Sequence, residues 1–216
     1  MRAIRPLALV LIALAVPLSR GAAQTCQGTA AFQDGRWRAG AFSHENTTVN
    51  DVGAGLAYGV PRSFYGAVSV DKLQAANGTG VGAAVGYQIH LSDTPFQVCP
   101  EVSAHYVSSD GTNTTEYRFG GNLGYRFGIS DWFTLVPAAG VRWLSVTATS
   151  DRVTTAGPGT SGVAATGSGS EVNMEMGLVF HRSFTIVPGL LIPSQNGTKS
   201  IFTIGVSINW PSDPSR

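Results

Sequence analysis

Residues Lys199 to Trp210 read K-S-I-F-T-I-G-V-S-I-N-W. In an extended strand successive side chains point to opposite faces, so Phe202, Ile204, Val206, Ile208 and Trp210 share one face. Thr203, Gly205, Ser207 and Asn209 share the other. One face is apolar and the other small and polar. Packed on a core, such a strand belongs to a soluble sandwich. With its apolar face against lipid and its polar face toward a lumen, it belongs to a transmembrane barrel. A single strand fits both, so the choice rests on how the rest of the chain repeats the pattern.

The beginning of the chain indicates the compartment. Met1 to Ala23 carries Arg2 and Arg5, then the apolar run Leu7 to Leu18, then Gly21, Ala22 and Ala23, the layout of a secretory signal peptide. The run is too short to span a bilayer as a helix, and Pro17 interrupts it. Cleavage after Ala23 leaves Gln24 first and takes the formal charge from +1 to −2 by removing Arg2, Arg5 and Arg20. That balance excludes a basic nucleic-acid binder. The two cysteines, Cys26 and Cys99, meet an oxidising environment after export and can form one disulfide, two free thiols being the alternative.

The middle of the chain repeats the two-residue period. Val52, Leu56, Tyr58 and Val60 alternate with Gly53, Gly55 and Gly59. Val81, Val85, Tyr87 and Ile89 alternate with Gly80, Gly82, Ala84 and Gly86. Similar faces run through Phe64 to Val70, Phe96 to Tyr106, Tyr117 to Phe127, Phe133 to Trp143, Val172 to Phe180 and Phe184 to Ile192, while Trp37 to His44 alternates weakly. The sum is about ten strands and no amphipathic helix. Connections alternate in length. Pro61 to Ser63, Ser92 to Pro95, Ile129 to Asp131 and Arg182 to Ser183 are short. Asn46 to Asn50, Leu73 to Asn77, Ser109 to Thr115, Ser150 to Ser170 and Ser194 to Thr198 are longer. Aromatic residues, among them Tyr58, Tyr87, Tyr125, Phe127, Trp132, Phe180 and Trp210, gather beside the short turns or the chain end, as a girdle at a lipid interface requires.

On these features the stretch Trp37 to Trp210 resembles the small bacterial outer-membrane β-barrels of the OmpA and OmpX type. The closing F-T-I-G-V-S-I-N-W is similar to the C-terminal strand by which such proteins are recognised for assembly, although here Pro211 to Arg216 follow the terminal aromatic. The resemblance implies an all-β, antiparallel up-and-down barrel of about ten strands, or eight if the Trp37 to His44 segment stays outside the wall. It implies a signal peptide at 1–23, a periplasmic segment at 24–36, the barrel at 37–210 and a tail at 211–216. Outer-membrane lipids and the barrel-assembly machinery are the implied partners, with both termini and the short turns in the periplasm.

Motifs for catalysis or cofactors do not hold. Gly80 to Gly86 nearly spells a dinucleotide fingerprint, but Val85 replaces its third glycine and no helix follows. His44-Glu45-Asn46-Thr47-Thr48 begins like a zinc-protease motif and lacks the second histidine. The reading is therefore no catalytic residue, no metal, no cofactor and no obvious small-molecule ligand. Charges at membrane depth must face away from lipid and pair. Hence Glu101, His105, Arg118, Arg126, Arg142, Glu171, Glu175 and His181 are expected to form a lumen network, with room supplied by the glycines of the second and fourth strands. Val85, Leu123 and Leu178 are expected to face lipid, and Ala84, Asn122 and Gly177 to face inward and accept polar replacement.

Four functions fit this reading: a non-enzymatic barrel that anchors, stabilises or displays loops; a narrow pore for small solutes; an outer-membrane hydrolase; and a soluble β-protein. Chain length excludes a wide general porin, which needs about 16 strands. The stretch Ser150 to Ser170 lacks apolar periodicity and is rich in Gly, Ser and Thr, so it is expected to be an extracellular loop. An epitope inserted near Gly159 should then be labelled by antibody on intact cells. Labelling only after the outer membrane is permeabilised would invert the topology.

Overall fold

In the computed structural model the alternating stretches become β1 (Gly35–Glu45), β2 (Asn50–Gly59), β3 (Phe64–Leu73), β4 (Gly78–Tyr87), β5 (Ile89–His90) and β6 (Phe96–Ser109). They continue as β7 (Thr112–Tyr125), β8 (Phe127–Gly128), β9 (Phe133–Ser150), β10 (Val163–Phe180), β11 (Phe184–Pro193) and β12 (Ile201–Pro211). The structure describes residues 35–46, 50–60, 63–74, 77–91, 96–150, 163–181, 183–195 and 197–211. The expected signal peptide, nearly all of the 24–36 segment and the tail after Pro211 lie outside these residues.

Every neighbouring pair is antiparallel, and β12 pairs with β1, so the sheet closes. The short β5 and β8 prolong β4 and β7, which leaves a wall of ten staves and no helix among the described residues. The eight-strand alternative is thereby overturned. Trp37 to His44 is a full stave, paired with β2 on one side and β12 on the other. Its alternation is weak because its outward positions are the small Ala39, Ala41 and Ser43, while Phe42 points inward.

The packing is inverted relative to a soluble protein. Val68, Val102, Phe119, Val141, Ile208 and many other large apolar residues are exposed around the outside, a coat far larger than a water-soluble surface carries. Asp71, Gln88, Gln97, Asn122, Glu171 and Asn173 are buried inside. Among the described residues the apolar cluster inside is Ala57, Tyr65 and the adjoining Ala67. Lipid therefore has to supply the apolar contact that a core supplies elsewhere, and closure satisfies the backbone.

Two expected loops are strand instead. Ser109 to Thr115 is almost all ladder, because the connection from β6 to β7 is the pair Asp110-Gly111, both at positive φ (39° and 78°). Asp-Gly is the sequence of a two-residue hairpin turn. Likewise Val163 to Ser170 pairs with Trp143 to Ser150 up to the base of the β9–β10 connection, so only 151–162 of the expected loop lies outside the described residues. Strands β9 and β10 have 18 residues each and β6 and β7 have 14, against 10 or 11 for most others. Tilted strands of about 9 to 11 residues span a bilayer. One side of the barrel therefore rises beyond the rest at the end opposite Gly35 and Pro211, called here the long-loop end.

A pentapeptide recurs at the start of three staves: F-Q-V-C-P (96–100), F-T-L-V-P (133–137) and F-T-I-V-P (184–188). Each proline interrupts one ladder. Gly86 pairs with Glu101 and Ile89 with Val98, and in that register Tyr87 stands opposite Pro100. Tyr125 stands opposite Pro137 in the same way, which separates β7 from β8, and Met176 opposite Pro188. A residue in an antiparallel pair exchanges both of its backbone bonds with one neighbour, so a missing N–H opens one ladder and spares the other. Accordingly Pro100 stays in register with Gly121, Pro137 with Met176 and Pro188 with Ile204.

Asn122 is 1% exposed and Gly177 is buried, so neither has room for a longer side chain, contrary to the expectation from alternation alone. Ala84 is half-buried and borders a cavity. We expect Val85→Arg, on the outer face, to cost about 2 to 4 kcal/mol near the bilayer midplane, and Ala84→Arg to cost clearly less. Urea titration of protein folded into lipid vesicles measures both; equal costs would reverse the assignment of faces.

Candidate functional site

The interior is organised by glycines that leave gaps between long side chains. On β4, a Cβ at Gly86 would fall on the Tyr65 ring, and one at Gly80 would lie 2.6 Å from His105 Nε2 and 2.7 Å from Asp71 Oδ1. Tyr65 and Asp71 stand on β3, and Glu101 and His105 on β6, so each pair reaches across β4 through a glycine. The Tyr65 hydroxyl donates to Glu101 Oε2 at 2.7 Å. His105 Nε2 lies 2.8 Å from Asp71 Oδ1. The same device recurs around the wall. Phe42 of β1 lies over Gly53 of β2, and Asn122 of β7 and Asn173 of β10 meet over Gly140 of β9.

Charged residues continue the row. Glu101, Gly120, Arg142 and Glu171 are register partners on four consecutive staves. Arg142 passes over Gly120, with Nη2 3.9 Å from Glu101 Oε1 and Nη1 3.9 Å from Glu171 Oε1. Arg118 pairs with Glu116 and has its Nε 3.9 Å from Glu171 Oε1. Asn173 Nδ2 donates to Glu175 Oε1 at 3.5 Å. His44 Nδ1 and Asp51 Oδ1, 3.2 Å apart, bridge β1 and β2 nearer the long-loop end.

Six of the eight residues expected in the lumen are there: Glu101, His105, Arg118, Arg142, Glu171 and Glu175. Arg126 stands in the break between β7 and β8, towards the turn end. His181 is not in the lumen. It occupies the turn between β10 and β11 at φ 49°, exposed, with its ring 6.3 Å from that of Trp132. Sequence reasoning missed Arg38, His44, Asp51, Tyr65, Asp71 and Glu116. All six have the inward parity of their strands, a signal present in the sequence; which opposite charge each would meet depended on strand register.

The lumen divides into a packed and an open half. Gln88, Gln97, Cys99, Asn122, Val136, Asn173 and Thr185 are the largest fully buried side chains, and all but Asn173 lie within a few residues of the short-turn ends of their staves. Cys99 is not a free thiol, and Cys26 lies outside the described residues. Above this floor a cavity of about 250 Å³ runs past Arg38, Gly40, Gly55, Arg142, Glu175 and Gly205. Nearer the long-loop end a larger one, of about 570 Å³, is bordered by Asp51, Asp71, Glu101, His105, Arg118 and Glu171.

Aromatic rings circle the short-turn end outside. Trp37 and Tyr58 are 4.8 Å apart between centroids, Phe64 and Tyr87 4.7 Å, Phe96 and Tyr125 4.7 Å, and Tyr125 and Phe127 4.1 Å. Trp132, Phe133, Phe180 and Phe184 continue the chain of contacts, and Trp37 stands opposite Trp210 in the closing ladder.

Residues 10–209 match the family described as outer membrane protein beta-barrel domain. No curated protein sequence matches the chain. Among solved structures, similar ones include the NanC porin, at 12% identity over 81% of this chain and 100% of that one, with a TM-score of 0.44. The N-terminal β-barrel domain of OprF from Pseudomonas aeruginosa is 12% identical over 81% and 96%, with a TM-score of 0.36. Neisserial surface protein A is 15% identical over 81% and 96%, with a TM-score of 0.37. None of the three carries a role over to this chain.

The glycine gaps make a sharp prediction. Gly80→Ala and Gly86→Ala put a methyl group where Asp71, His105 or Tyr65 already lies, and each should destabilise the barrel by about 1 to 3 kcal/mol through overpacking. Outward Gly66, where an added Cβ would come no nearer than 3.7 Å to its nearest neighbour, should accept alanine with little change. Denaturant titration followed by the gel shift between folded and unfolded forms separates them.

Proposed function

Because the chain belongs to the outer membrane protein beta-barrel domain family, we propose that it acts in the bacterial outer membrane as a non-enzymatic barrel that anchors and displays its long-loop end, with a lumen closed on the opposite side. The observation that carries this reading is the packed floor. Seven fully buried side chains, all but Val136 polar or sulfur-bearing, pack the lumen, and all but Asn173 lie within a few residues of the short turns. The aromatic ring beside the short turns fits a lipid interface. The short turns and both chain ends then face the periplasm, and the tall ends of β6, β7, β9 and β10 face the exterior. Outer-membrane lipids and the assembly machinery are its partners in this reading.

The two cysteines add to the closure. Cys99 lies in the floor and is not a free thiol, and the chain has one other cysteine, Cys26, about ten residues before β1. At about 3.3 Å per residue an extended segment of that length reaches across the barrel mouth. A Cys26–Cys99 disulfide would hold the segment against the floor and contribute on the order of 4 kcal/mol by restricting the unfolded chain.

A narrow pore is the second reading, favoured by the glycine-lined cavity of about 250 Å³ beside Arg38 and Glu175. Planar-bilayer recording decides between the two. The refolded wild type should show no unit conductance, whereas stable single-channel steps would establish the pore. Steps seen only in Cys26→Ser would show that the tethered segment closes a path the floor leaves open.

A further inference from the structure

Strand β10 outruns its neighbour on one side only. It pairs with β9 from Val163 to Phe180, but β11 ends at Pro193 and reaches no higher than Glu171. The edge of β10 from Val163 to Ser170 therefore has a strand on one side and none on the other. Ser170 shows which backbone groups point to the empty side, since its N–H donates to Ser194 Oγ at 3.2 Å and its carbonyl accepts from the Ser194 N–H at 2.8 Å. With a period of two, Ala164, Thr166 and Ser168 point the same way. Gln195 Nε2 donates to the Ser168 carbonyl at 3.0 Å. Among the described residues no strand meets the N–H and C=O of Ala164 and Thr166 on that side, and Ala165 to Ser168 are exposed. Free edges are ordinarily blunted by charge or proline, and V-A-A-T-G-S-G-S has neither.

A second feature adjoins this edge. The alternation of β9 changes phase at Leu144: Val141 and Trp143 are exposed on the outer face, whereas above them Leu144, Val146 and Ala148 face inward and Ser145, Thr147 and Thr149 outward. The tall wall is thus polar outside and apolar inside. A cavity of about 510 Å³ lies against Leu144, Val146, Ala148 and Ala165 and is bordered across the gap by Pro193 and Ile201. Its charged border, Glu116, Arg118 and Glu171, is the paired row described above. A Cβ added to Gly167 would meet nothing within 4 Å, so there is open space beside the edge itself. A strand laid there continues the upward line of β11, offers backbone groups to Ala164 and Thr166, and turns every second side chain into the cavity.

No other segment of this chain fits the place. Residues 24–34 and 212–216 join the barrel at its opposite end, and 151–162, D-R-V-T-T-A-G-P-G-T-S-G, has no apolar alternation and carries a proline. Two copies upright in one membrane run their β10 strands in the same sense, and antiparallel pairing needs opposite senses. We propose that the upper edge of β10 is a docking site for an extended segment of a partner polypeptide. The segment adds antiparallel as a strand, with apolar side chains at alternate positions filling the cavity and polar ones facing water. Backbone bonds supply the affinity and the cavity supplies the choice of sequence. The proposal holds whether or not the barrel conducts, and on whichever side of the membrane the long-loop end stands.

The test is NMR of the refolded full-length mature protein in lipid nanodiscs, following the backbone amides of Ala164 and Thr166 during titration with the blocked peptide S-T-V-T-V-T-V-T-S. Both amides should exchange rapidly with solvent in the free protein and become protected about tenfold or more on saturation, with a dissociation constant below about 1 mM. N-methylation of the peptide's threonines, whose N–H groups face β10, should weaken binding about tenfold or more, and N-methylation of its valines, whose N–H groups face away, should not. On the protein, Thr166→Pro removes an N–H on the open side of the edge, and Val146→Asp puts a charge on the inner wall. Each should weaken the peptide about tenfold or more, read at the Ala164 amide. If either variant fails to show the folded gel migration, the methylated peptides decide the matter on the wild type. No binding at about 1 mM peptide, equal affinity of the two methylated peptides, or unchanged affinity in the folded variants would each overturn the proposal. Protection of both amides before peptide is added would overturn it too: independent of protein concentration, it would mean that the chain covers its own edge, and rising with concentration, that a second copy does.

Discussion

Long polar side chains on one stave can meet those two staves away only if the stave between them carries no side chain at the crossing. That constraint governs the interior. Tyr65 reaches Glu101 over Gly86, Asp71 reaches His105 over Gly80, and Arg142 reaches Glu101 across Gly120. Glycine weakens a strand by itself, since it loses more freedom on ordering and packs nothing. Here the loss is offset because a bulkier residue would leave buried charges without the partners that make burial tolerable. In a small barrel the interior is as wide as its side chains are long, so an inward glycine is a structural position and not an empty one.

The outer face obeys a different rule. It has no packing partner of its own, so its residues need only be apolar and its backbone must be satisfied by ladder bonds alone. That makes the three prolines informative. Each faces outward, each sits at the same place after an opening phenylalanine, and each removes one donor while leaving the other ladder in register. The breaks come a few residues inside the aromatic ring, on the staves that begin at the short-turn end. They are why the wall contains β5 and β8 as separate pieces while its register continues unbroken across them.

The architecture was legible in the sequence because a two-residue period is a local property. Outward Val85, Tyr87, Leu123, Ile204 and Trp210 could be assigned without knowing any neighbour, and so could the inward position of Glu101, Arg142 and Glu171. Register was not legible, since it depends on where each connection ends. Asp110-Gly111 is a clear two-residue turn, yet the polar run Ser109 to Thr115 around it read as a loop, and the heights of β6 and β7 were lost with it. The same loss hid Asp71 as the partner of His105 and Glu116 as the partner of Arg118. His181 shows the converse error: its parity continued the inward face of β10, but at positive φ the chain had already left the strand.

The two halves of the lumen follow from what their staves carry. Towards the short turns the inward positions are medium-sized amides, a threonine, a valine and a cysteine, which fit one another and fill the space between glycines. Towards the long loops the inward positions of β2, β3 and β4 are Asp51, Gly53, Ser69, Asp71, Gly80 and Gly82, too small to fill the same width, while the acids and arginines of β7, β9 and β10 remain near their own wall. A uniform barrel would be plugged or open along its whole length. This one is packed where side-chain volume matches its width and hollow where it does not.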